Sequence, residues 1–232
     1  MSTVTSARRA GRRRWGRPPT IGAMPRYARS ERTALADLLL AVGPDAPTVN
    51  EGWTTRDLAA HLILRERRPD AAGGIVLPPL RGYAERVRRR IAAHPWPRLV
   101  AQVRRAPLWS PVSNPVTDEL VNTLEFYIHH EDVRRARAGW LPRELAGGLH
   151  AALWRRVVPQ ARLALRRFPA DLLVQAPGHG ECSVGRGGEP LRLVGAPGEL
   201  ALFLSGRQRV ARVQVDGSAG LAERLRGANL GM

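Results

Sequence analysis

Lysine is absent from this 232-residue chain, so all 37 of its basic residues are arginines. Together with abundant alanine, glycine and proline, that bias reads as GC-rich coding. Cysteine occurs once, at Cys182, which excludes an internal disulfide framework and fits a reducing compartment; the expected location is the cytoplasm. Aromatic residues make up only 5% of the chain, and they do not interleave with the arginines as base-stacking platforms would. No run of eighteen apolar residues occurs, so no membrane-spanning helix is expected. A Gly-x-Ser-x-Gly nucleophile elbow and a glycine-rich phosphate loop are also missing.

Acid is scarce enough to leave a formal net charge of +17. Such a charge ordinarily points to nucleic acid. Here the arginines are spread as doublets and triplets (88–90, 104–105, 134–135, 155–156, 166–167) and form no single stripe, so specific nucleic-acid binding is not expected. Residues 1–23 carry Arg8, Arg9, Arg12, Arg13, Arg14 and Arg17 with no acid, and read as a disordered arm. No apolar segment follows those arginines, which speaks against a secretory or twin-arginine signal.

What is present is a helical first part. Leu35, Leu38, Leu39 and Val42 make one apolar face, closed by Gly43 and Pro44. Thr54 opens a second helix with Asp57 in capping-box position, and Pro69 ends it. Residues 83–93 and 96–105 read as two further helices. Thr117 is expected to cap a helix reaching residue 138, and Pro142 to begin another reaching 167. After Phe168 and Pro169 the texture changes to short β-rich runs at 172–175, 181–184, 191–194 and 209–215, with helices at 198–206 and 219–225. The expected architecture is α+β in two domains: a helical bundle over 24–168 and a small α+β domain over 169–232.

Within the bundle, Glu125 and His129 are four apart on one helix face, and His61 sits on a separate helix. Bundles place metal sites by pointing acid and imidazole groups inward from facing helices. Two histidines and a carboxylate would leave a coordination position open, as catalytic zinc requires. Asp132, three residues beyond His129, could orient that imidazole. Spacing alone favours a helix-stabilising Glu–His pair over a metal site. His130 competes with His129, although adjacent side chains diverge by about 100° and only one can share the Glu125 ridge. His179 and Cys182 have metal-like spacing but lack a second half.

The stretches 52–62 (Gly-Trp-Thr-Thr-Arg-Asp-Leu-Ala-Ala-His-Leu) and 122–133 (Asn-Thr-Leu-Glu-Phe-Tyr-Ile-His-His-Glu-Asp-Val) resemble the mycothiol-dependent maleylpyruvate isomerase-like proteins, within the wider DinB-like metalloprotein group of high-GC bacteria. Residues 65–71 and 129–136 look like a subgroup known mainly for metal binding without a defined activity. The resemblance covers roughly residues 24 to 230. It implies a DinB-like four-helix bundle, a sterol-carrier-like C-terminal domain, and Zn2+ or another divalent ion held by His61, Glu125 and His129. It further implies a low-molecular-weight thiol such as mycothiol, and an isomerase or transferase reaction on a small anionic substrate. Arg207, in a Gly-Arg pair like that of relatives, and Arg65, one turn beyond His61, are the arginines expected to bind that substrate, with Asp132 in support. A non-catalytic metal- or ligand-binding module is the competing expectation.

Overall fold

The computed structural model describes residues 26–75, 77–107, 109–110, 112 and 117–231; the arginine-rich arm expected over 1–23 lies outside these. Nine α-helices and one four-stranded sheet make up an α+β fold among the described residues. The helices are α1 (Tyr27–Val42), α2 (Thr55–Arg67), α3 (Pro69–Ala72), α4 (Arg81–Ala92), α5 (Trp96–Arg104), α6 (Thr123–Arg135), α7 (Gly147–Ala164), α8 (Pro197–Leu204) and α9 (Ala219–Arg226). No described helix is long and apolar enough to cross a membrane.

Local chemistry sets the helix starts that matter for the site. Thr54 and Asp57 form a reciprocal capping box at the head of α2, each side chain accepting from the other's backbone N–H. The entry to α6 differs from the expectation. Thr117 makes no capping bond, and a π-helical turn, Asp118–Asn122, precedes the helix. That wider turn brings the Asn122 amide to the Val112 carbonyl and to Asp118, both at 2.6 Å. Such insertions recur at functional sites.

Four helices share one apolar cluster: α1 through Leu35 and Leu39, α2 through Leu58 and Leu62, α5 through Leu99 and Val103, α6 through Phe126 and Val133. Helix α7 buries Val157 and Ala161, and its C-cap Leu165, in a second cluster, with the sheet residues Leu172, Val174, Leu191 and Leu193 and with Leu200 and Phe203 of α8. The helix expected from Pro142 begins instead at Gly147. The intervening segment carries Arg143 back to α1 and α6, where it pairs with Glu31 and Glu131 respectively.

Strands β1 (Asp171–Ala176), β2 (Gly180–Gly185), β3 (Pro190–Val194) and β4 (Gln214–Asp216) lie in the order β2-β1-β3-β4; β1 and β3 are parallel, the outer pairs antiparallel. The last strand is shorter than expected, because residues Gln208–Val210 form a 3-10 turn. Gly206, with φ of 85°, reverses the chain after α8, and any Cβ there would sit 3.0 Å from Gly231. That reversal aims Arg207 back at α6.

Charge is buried between α1, α6 and the 141–146 segment. Burial would raise the Glu31 carboxyl, yet hydrogen bonds from His130 and Arg143 pull it from its ordinary 4.5 to about 2. Since this folded-state value lies below the unfolded one, the contribution is full above the ordinary carboxylate pKa and is lost as pH falls toward 2. The expected size is about 3 kcal/mol. The stability gap between the protein and Glu31→Gln in urea melts should therefore narrow by more than half between about pH 6 and about pH 3. A gap that does not change with pH would contradict this assignment.

Candidate metal centre

The capping box fixes where α2 begins and so where His61 falls, two turns in, between the buried Leu58 and Leu62. Helix α6 packs its Phe126 and Val133 into the same cluster. Glu125 and His129 flank that apolar ridge and meet His61 across the gap. The Glu125 Oε1 is 3.1 Å from His129 Nε2 and 3.5 Å from His61 Nε2. The two imidazole rings stand edge to face, centroids 5.2 Å apart. One ligand atom from each of the three lies within 4.8 Å of the other two.

This geometry fits a divalent ion. Bonds of 2.0–2.1 Å to a tetrahedral centre put neighbouring ligand atoms about 3.3 Å apart. The two separations from Glu125 fall on either side of that value. Glu125 keeps a quarter of its side chain exposed. The three groups border a chamber of about 310 Å³, shared with Ser205, Arg207 and Leu230, so they are not sealed in the core. An open face is what distinguishes a catalytic from a structural zinc site.

The surroundings orient these groups. His129 Nδ1 lies 2.9 Å from Asp132 Oδ2, and Arg207 donates to both oxygens of the same carboxylate, Nε at 3.0 Å and Nη2 at 2.8 Å. Burial would raise Asp132, but the bonds from His129 and Arg207 keep it below the usual carboxylate range. As an anion Asp132 can only accept, so His129 Nδ1 carries the hydrogen and Nε2 is turned toward Glu125. Burial would also raise Glu125; hydrogen bonds from His129 and His61 and the charge of Arg65 hold it well below its ordinary value.

The two histidines respond oppositely. Burial pushes the His61 pKa down and favours the neutral, ligating form. Burial acts the same way on His129, but hydrogen bonds to Asp132 and Glu125 outweigh it and raise the pKa. A metal ion would have to displace that His129 proton.

Both arginines singled out in the sequence lie at this site, and both face protein acceptors. Arg65 Nη1 donates to Asn122 Oδ1 at 2.5 Å, and its Nε is 3.5 Å from Glu125. Arg207 is held by Asp132 and by the Ser205 carbonyl. His130 points elsewhere, its Nδ1 3.1 Å from Glu31, so the two adjacent histidines serve different networks. Cys182 is buried and burial raises its thiol pKa, while the His179 ring packs against His150 at 5.5 Å. Asn122, which anchors Arg65, opens the stretch 122–133, but nothing in its spacing assigns it that role.

No family model matches the chain, and no curated protein matches it. Among solved structures, the mycothiol-dependent maleylpyruvate isomerase and a mutant of that enzyme are similar. Each is 16% identical, covers 84% of this chain and 91% of that chain, and superposes with a TM-score of 0.49. At that distance the likeness carries no inference about this chain.

Proposed function

We propose that the chain is a divalent-metal protein, zinc being the natural ion for this donor set. In this proposal it uses a low-molecular-weight thiol of the mycothiol type in an isomerase or transferase reaction on a small anionic substrate. The observation that carries the reading is the convergence of His61, Glu125 and His129 within 4.8 Å at the edge of an open chamber. The sequence resemblance supports the choice of thiol and reaction class.

His61 Nε2, His129 Nε2 and a Glu125 oxygen would hold the ion, whose chemistry is to convert a thiol of pKa about 8.5 largely to thiolate at neutral pH. Asp132 keeps His129 in one tautomer and one orientation. Arg207 holds Asp132, and Arg65 with Asn122 holds Glu125. Trp53, its ring 5.4 Å from that of His61, lines one side of the chamber. A helical metal-holding domain over 24–168, an α+β domain over 169–232 and a cytoplasmic location belong to the same proposal.

The test is a cobalt-substituted absorption spectrum titrated with thiols. About one ion per chain, together with a sulfur-to-metal charge-transfer band on adding thiol, is expected if the open position takes sulfur. Stoichiometric metal with no such band for any thiol, and loss of fold on chelation, would assign the site a structural role.

A further inference from the structure

A second, larger chamber of about 550 Å³ adjoins the first. Trp53, His61 and Ile75 line both, so His61 stands at their junction. Its other wall is one face of α4, Arg81, Ala84, Glu85 and Arg88, residues spaced at i, i+3, i+4 and i+7. Both volumes are of the order that small-ligand sites occupy, about 300–1,000 Å³. We propose that this outer chamber is the carboxylate subsite of the reaction and that Arg81 is its anion-binding residue. The assignment rests on the metal and thiol reading above and adds where the second reactant binds.

The charges lining the outer chamber decide the matter. Arg88 is committed: its guanidinium bonds Glu85 twice and Asp57 once, and lies over the Trp53 ring at 5.1 Å. Glu85 is likewise committed, to Arg88 and Arg89, which hold its carboxyl below the ordinary range. Among the described residues Arg81 has no carboxylate partner and no hydrogen-bond acceptor, and it lines the chamber wall. In the inner chamber, by contrast, Arg207 and nearby Arg65 are already held by Asp132, Asn122 and Glu125. An incoming carboxylate therefore meets its uncompensated guanidinium in the outer chamber, where a fork-shaped donor can bind it through two parallel hydrogen bonds. The thiol would take the inner chamber, beside the three ligand atoms that would hold the ion. The two reactants then approach each other across His61.

Gly74 keeps this wall in place. Its Cα packs so closely on the start of α4 that a Cβ would come within 2.5 Å of the Leu80 carbonyl and 2.6 Å of Ala84. A side chain there would push α4, and Arg81 with it, away from His61.

The test is calorimetric titration of the zinc-loaded protein with succinate, with zinc content measured on every sample. Arg81→Ala should weaken succinate binding by about 10-fold or more, the value of a charge-assisted hydrogen-bond pair. Arg81→Lys, which keeps the charge but not the fork, should lie between Arg81→Ala and the parent, and guards against a folding defect in the alanine variant. Arg90→Ala removes the same charge from an exposed position of α4 outside the chamber and should bind as the parent does. Succinate binding that is unchanged in Arg81→Ala overturns the assignment, as does a parent protein that binds no succinate. Arg81-dependent succinate binding in a chain that takes up no zinc would uphold the subsite while defeating the metal reading.

Discussion

His129→Ala is expected to lower zinc affinity by about 100-fold or more while leaving the fold nearly intact. The imidazole is one of only three protein ligands in the proposed site, so its loss leaves two, His61 and Glu125, on different helices. Asp132 loses one hydrogen bond but keeps both from Arg207, so the stability cost should be about 1 kcal/mol. Asp132→Asn is the companion variant. It keeps every ligand but removes the anion that fixes the His129 tautomer, and should cost about 10–100-fold in affinity. The pH dependence carries a definite sign. His129 has a raised pKa in the metal-free chain, so protons compete with the ion and affinity should fall as pH drops through that value, by up to about tenfold per unit. Competition against a chromophoric chelator over a pH series measures all three effects. A His129→Ala protein that still holds one zinc per chain with parental affinity would remove the triad as the metal site.

The largest expected effect on stability comes from Glu66→Ala. Arg32 is 2% exposed, and it is held by both oxygens of an equally buried Glu66, by the Val103 carbonyl at 3.1 Å and by the Phe126 ring at 4.1 Å. Taking away the carboxylate leaves a guanidinium in the core with only Asp118, at 3.4 Å, as a weak counter-charge among the described residues. Breaking a buried pair in this way costs about 3–5 kcal/mol. Arginine cannot shed its proton to escape, as a buried lysine would. Replacing both partners with apolar residues of similar size, Arg32→Met with Glu66→Leu, should recover most of the loss. Urea denaturation of the single and double variants tests this. A Glu66→Ala change below about 1 kcal/mol would show that water or Asp118 compensates the arginine and that the pair is not a core interaction.

Local sequence carried a good deal of this protein. The capping box at Thr54 and Asp57 is written in two residues three apart, and it forms as written because it needs only the first turn of α2. The apolar faces of α1 and α2 and the change to β texture after residue 168 are likewise short-range patterns, and the helices and strands follow them. Where expectation and structure part, a distant partner intervenes. Helix α7 starts late because Arg143 crosses to Glu31, 112 positions away. The final strand is cut short where Arg207 turns back to Asp132. The entry to α6 is a π turn in which Asn122 meets Val112 and Arg65.

The site divides along the same line. That Glu125, His129 and Asp132 share one ridge follows from helical periodicity, which depends only on backbone geometry. That His61 lies opposite them, that His130 belongs to Glu31, and that Arg65 and Arg207 are already paired depends on how helices far apart in sequence pack. Nor could the chain order single out Arg81 from 37 arginines; only the packing shows which guanidinium lines the outer chamber without a counter-charge among the described residues. Periodicity is a property of neighbours along the chain and can be read from them. Charge compensation is a property of neighbours in space, and tertiary structure alone decides it.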